Sequence, residues 1–202
     1  MTMFYAVRNV AIGAATLALA TGFSLPAKAA YTVTLLQQGP DVVATGSGSI
    51  DLTGLIFVGS SGGDEAIISG GLGIIVVGPV PFTASNEYGG YSGPIAFGTL
   101  GALTASSGSG DRVGIDQDSG ELFVPAGYVS GSSLSSSDTW DSRNFASLGV
   151  TPGTYVWTWG SGADADSFTL QIGATAVPEP ASLTLLAMGL AGLGMVLRTR
   201  RA

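Results

Sequence analysis

The sequence predicts an all-β fold, an antiparallel β-sandwich or jelly roll, with an N-terminal signal peptide before it and a single C-terminal transmembrane helix after it. Three observations predict this. Residues 30–177 contain repeated short runs of apolar, β-branched and aromatic residues punctuated by Gly, Ser, Asp or Pro, the pattern of strands joined by turns. No amphipathic pattern of ten or more residues interrupts them. Near each terminus lies an uncharged stretch with the flanks of a targeting segment.

The elements follow in order. Arg8 precedes an uncharged run from Asn9 to Leu25, and PAKAA places the small residues Ala27 and Ala29 where a signal peptidase accepts them. Cleavage is expected after Ala29, with Ala30 as the alternative, so residues 1–29 are the signal peptide. Strands are expected at Tyr31 to Gln37, within Gly48 to Gly59, at Gly73 to Gly78, at Pro94 to Leu100, in two runs between 112 and 129, at Gly153 to Trp159 and at Asp166 to Gly173. NFASLG reads as one helical turn or a short strand. The last two runs form the clearest hairpin: Tyr155, Trp157 and Trp159 alternate onto one face, and Phe168, Leu170 and Ile172 do the same on the next strand. Facing inward these rows supply a core; facing outward the aromatic row makes a sugar-binding platform.

Composition removes several functions. The chain has 202 residues, 32 glycines, no cysteine and no histidine, which excludes a disulfide framework, a cysteine nucleophile, a serine–histidine–acid triad and a zinc site built on imidazole or thiolate. Residues 30–177 carry two basic against thirteen acidic side chains, a formal charge of -11. That charge repels phosphate backbones, so nucleic acid is not an expected partner.

Among the carboxylates, Asp116, Asp118 and Glu121 are candidate calcium ligands, because Asp116-x-Asp118-x-Gly120 spaces oxygen donors as a calcium loop does. The full 12-residue loop pattern is missing, and solvated turn carboxylates explain the same residues. Asp164 and Asp166 sit two apart in a hairpin loop. Glu87 beside Tyr88 and Tyr91, or Glu121 before an apolar strand, could be nominated for a glycosidase carboxylate pair, yet loop or surface roles serve equally well. Ser130 to Ser142 is read as a Ser-rich loop suited to O-glycans, with no histidine or nearby lysine to activate a hydroxyl. No enzyme is expected and no cofactor beyond the calcium candidate.

The C-terminus completes the reading. Pro178-Glu179-Pro180 precedes an uncharged, glycine-bearing run over 181–197, and Arg198, Arg200 and Arg201 follow it. At about 1.5 Å per residue such a run approaches the lower limit for a membrane helix, and the arginines would hold its end in the cytoplasm. This arrangement resembles the bacterial PEP-CTERM sorting signal, also labelled an ice-binding protein C-terminal domain. The resemblance implies an exported protein, anchored transiently in the inner membrane and cut by an exosortase-like membrane protease near Pro178-Glu179-Pro180. It assigns residues 177–202 to the signal and leaves 30–176 as a glycine-rich β-sandwich domain. DLTGL, LFVPAGYVSG and LGVTPGTYVWTWGSGADADSFTLQIG also resemble motifs of exported PEP-CTERM proteins, a group that brings no activity with it. The expected function is therefore a non-catalytic structural protein of the cell surface or extracellular matrix. The alternatives are an exopolysaccharide-binding module, with or without calcium, and then a carboxylate-based glycoside hydrolase. Ice binding would need a flat regular array of Thr or similar groups, and the sequence shows no such repeat.

Overall fold

The computed structural model describes residues 30–62, 65–81, 83–99 and 101–173. Two sheets make up nearly all of the regular structure. The six-stranded sheet runs, from edge to edge, β12 (Gly153–Trp159), β13 (Asp166–Ile172), β1 (Ala30–Gln38), β2 (Asp41–Ser49), β11 (Ser133–Trp140) and β8 (Ser107–Gly110). The seven-stranded sheet runs β3 (Ile56–Ser61), β6 (Ser85–Gly89), β10 (Glu121–Pro125), β9 (Val113–Asp116), β5 (Ile74–Val77), β4 (Ile67–Ser69) and β7 (Leu103–Thr104). One helical turn, α1 (Phe145–Leu148), is closed at its start by the Asn144 side chain accepting from Ser147 N at 2.8 Å, and at its end by Gly149 in the left-handed conformation, φ 65°.

Alternation sets the core. On β1 the side chains of Tyr31, Val33 and Leu35 are buried while Thr32, Thr34 and Leu36 are half-buried on the opposite face. Their register partners on β13 are Phe168, Leu170 and Ile172, all buried. From the other sheet Ile75, Val77, Val113, Ile115, Leu122 and Val124 enter the same cluster. A smaller cluster of Ile74, Val76 and Phe123 lies on the far side of the seven-stranded sheet, where the Arg112 guanidinium stands 5.2 Å from the Phe123 ring centroid.

The structure corrects several expectations. The expected single transmembrane helix, and with it transient inner-membrane anchoring, is overturned: among the described residues no helix is long and apolar enough to cross a membrane. The run 181–197, on which that helix was placed, and the signal peptide over 1–29 lie outside the described residues. The six-stranded sheet is mixed rather than purely antiparallel, because β1 and β13 pair in parallel. Chain geometry explains this: β13 returns antiparallel to β12, and its other edge takes up the first strand, over a hundred positions earlier. The expected single strand across Gly48 to Gly59 is broken by a turn in which Leu55 N donates to Leu52 O. Of the strand expected at Pro94 to Leu100, residues 94–99 are irregular, touching the rest of the fold through an isolated bridge from Gly98 to Val150 while Phe97 is buried, and Leu100 lies outside the described residues. The Ser-rich stretch read as a loop is strand β11, with Leu134, Ser136, Asp138 and Trp140 turned inward.

Candidate functional site

The aromatic row of β12 belongs to the core. Trp157 is 0% and Trp159 4% exposed, and Tyr155 is half-buried. The Trp157 ring packs edge-on against Phe97 and Phe168 at centroid distances of 6.3 and 5.8 Å. Its Nε1 donates to Pro94 O and to Gln117 Oε1 at 3.1 and 3.0 Å, and Trp159 Nε1 donates to Asp51 O at 2.7 Å. These tryptophans offer no face to a sugar. Tyr91 is also spoken for: its hydroxyl donates to Asp116 O at 2.7 Å and to Glu121 O at 3.2 Å, tying down the β9–β10 hairpin. Burial raises the Tyr91 pKa, with the nearby Asp116 and Glu121 charges adding to it.

Asp116, Asp118 and Glu121 meet in that hairpin. Asp116 and Glu121 are register partners across β9 and β10, and Asp118 is exposed in the turn between them. Asp116 Oδ1 accepts from Asp118 N and Ser119 N at 2.9 and 3.1 Å, the local bonding that makes Asp a turn former. Among the described residues no group of three or more acidic side chains is placed to hold a metal ion. Asp166, at the start of β13, is buried and accepts from Asp51 N and Ser167 N, both at 2.6 Å. Through Asp51 N it ties the start of β13 to the β2–β3 connection. Asp51 in turn has a lowered pKa, because the Thr53 backbone and side chain and the Ser130 hydroxyl bond its carboxylate.

A feature that sequence reasoning missed lies on the solvent side of the six-stranded sheet. The register aligns Thr154, Gln171, Thr34, Thr45, Ser137 and Ser109 in one row across all six strands. The next row holds Val156, Thr169, Thr32, Ser47 and Ser135. Nine of these eleven side chains are hydroxyls and none is charged. Over β2, β11 and β8 the face sinks into a shallow groove of about 310 Å³, lined by Thr45, Gly46, Ser47, Ser109, Gly110 and the run Ser135–Ser137. Gly46 cannot be larger, since a Cβ there would overlap the Tyr31 hydroxyl beneath it. The only local signal was the recurrence of Ser or Thr at alternate positions in TVT, TGSGS and SLSSSDT; the array itself exists only once distant strands pair.

Beneath the same strands lies a polar seam. The Tyr31 and Ser136 hydroxyls bond each other at 2.5 Å. Asp138, 1% exposed, accepts from Gly78 N through Oδ2 at 2.9 Å and so links the six-stranded sheet to the end of β5, while its Oδ1 has no hydrogen-bond partner. Desolvation pushes its carboxyl pKa up to about 7, against the opposing effect of the Gly78 bond.

Residues 176–201 match the family described as the PEP-CTERM protein-sorting motif. No curated protein and no solved structure matches the chain. The match covers Pro178, Glu179, Pro180, Arg198, Arg200 and Arg201, which lie outside the described residues. The chain thus bears a PEP-CTERM sorting signal, the mark of an exported protein that an exosortase-like system processes. The motif is a sorting element and supplies no catalytic group.

Proposed function

We propose that residues 30–176 form a structural domain of the cell surface or extracellular matrix, separated from residues 177–202 near Pro178-Glu179-Pro180 after signal peptidase has cut behind Ala29. The observation that carries this reading is the position of the sorting motif: it begins at residue 176, just after the last strand ends at Ile172. A cut near Pro178 would leave both described sheets intact. In this reading exopolysaccharide is the matrix component the domain meets, and stacking on the β12 tryptophans plays no part in that encounter.

Intact-mass measurement and cell fractionation of the protein from its native host test the reading. A product spanning about residues 30 to 177, recovered outside the cell or on its surface, supports it. A full-length C-terminus in every fraction would sink the processing step.

A further inference from the structure

The uncharged hydroxyl face deepens the matrix reading, on which the inference rests. The mature segment carries thirteen acidic and two basic side chains, yet the two central rows of this face hold none of them. Some hydroxyls elsewhere on the fold have protein partners: Ser130 bonds Asp51, Ser136 bonds Tyr31 and Ser147 bonds Asn144. Among the described residues none of the nine row hydroxyls has one. Each is therefore open as both donor and acceptor.

We propose that this face binds a neutral polysaccharide, with the chain seated in the groove over β2, β11 and β8 against Thr45, Ser47, Ser109, Ser135 and Ser137. Three physical arguments select that occupant. An uncharged sugar chain presents hydroxyls that give and accept hydrogen bonds, matching the rows group for group. A polyuronate or other polyanion would meet a strongly acidic domain and no cation on these rows. The sheet's right-handed twist also favours a flexible polymer, which can follow rows that turn, over a rigid planar lattice.

On the groove floor a Cβ at Gly46 would meet the Tyr31 and Ser136 hydroxyls beneath the sheet and one at Gly110 the Ser135 carbonyl, so glycine at both positions lets β2, β11 and β8 pack closely under the groove.

The test is affinity electrophoresis of the processed protein from its native host through gels containing dextran, hydroxyethylcellulose, galactomannan or alginate. At least one of the three neutral polymers should retard it, and alginate should not. Replacing Thr45→Val together with Ser137→Ala should weaken retardation at least fivefold with tryptophan fluorescence unchanged, whereas Ser60→Ala on β3 should leave it as it was. If the double variant misfolds, Ser47→Asp puts a carboxylate on the rim and should do the same. No retardation by any neutral polymer, retardation by alginate alone, or equal retardation of the folded variants would each overturn the proposal. A correctly processed surface protein that no gel retards would defeat this inference and leave the matrix reading standing.

Discussion

At Asp138 a carboxyl is held between the sheets with one oxygen bonded to Gly78 N and the other without a partner. Its pKa is raised by desolvation from 3.8 to about 7, so the folded state holds the proton more tightly than the unfolded chain does. Stability from this group is then complete below about pH 4, declines as pH rises between the two values, and is gone above about pH 7. Asp138→Asn, which stays neutral, should remove that slope. Urea midpoints at pH 5 and pH 8 check it: the wild type should lose up to a few kcal/mol more than the variant on going up, and parallel losses would show that Asp138 titrates normally. Tyr31 and Ser136, next in the seam, behave as a unit. Tyr31→Phe strands the Ser136 hydroxyl in the core and should cost about 1–3 kcal/mol, and adding Ser136→Ala should recover part of it, because removing both partners leaves no unpaired group. Purely additive losses in a denaturation cycle would contradict the pairing.

Strand β12 shows what a single element contributes. Trp157 is fully buried, packs between Phe97 and Phe168 and uses its one donor on Pro94 and Gln117. Trp157→Ala should cost about 3–5 kcal/mol, the range for an aromatic deleted from a packed core, read as a shift in the denaturation midpoint; a loss below 1 kcal/mol would mean that the ring is dispensable. The β12–β13 hairpin was legible in the sequence because large aromatic and aliphatic side chains alternate there with polar ones. Strands β2 and β11 were not. Gly46 and Gly48 occupy β2 positions where large side chains would announce a strand, and β11 turns Ser136 and Asp138 inward, so its buried face reads as polar. The β9–β10 turn was located correctly, but the use of Asp116 Oδ1 to close it depends on backbone direction. The hydroxyl rows were invisible for a different reason: each joins residues from Thr32 or Thr34 to Gln171 or Thr169, and alternation within one strand does not tell which strand lies beside it.

Across the whole molecule, the parallel pairing of β1 with β13 makes the first and last described strands neighbours in the middle of the six-stranded sheet. Sheet closure therefore waits for residues 166–172, and a contact of such long sequence separation slows folding. The sorting motif starts only after this closure, at residue 176, so folding and sorting occupy different stretches of chain. Their separation is testable from both sides. Replacing Pro178 and Glu179 by alanine should abolish processing and leave a larger, cell-retained form, while the thermal unfolding midpoint stays within about 1 °C, since a change away from packed or bonded groups shifts stability little. Phe168→Ala, which removes a ring packed on Tyr31 and Trp157, should instead lower stability by about 3–5 kcal/mol with the Pro-Glu-Pro cut still made on whatever protein is exported. A tail variant that melts markedly earlier would mean that the domain draws stability from beyond residue 173, and a tail variant released at the normal mass would remove Pro178 and Glu179 from the processing signal.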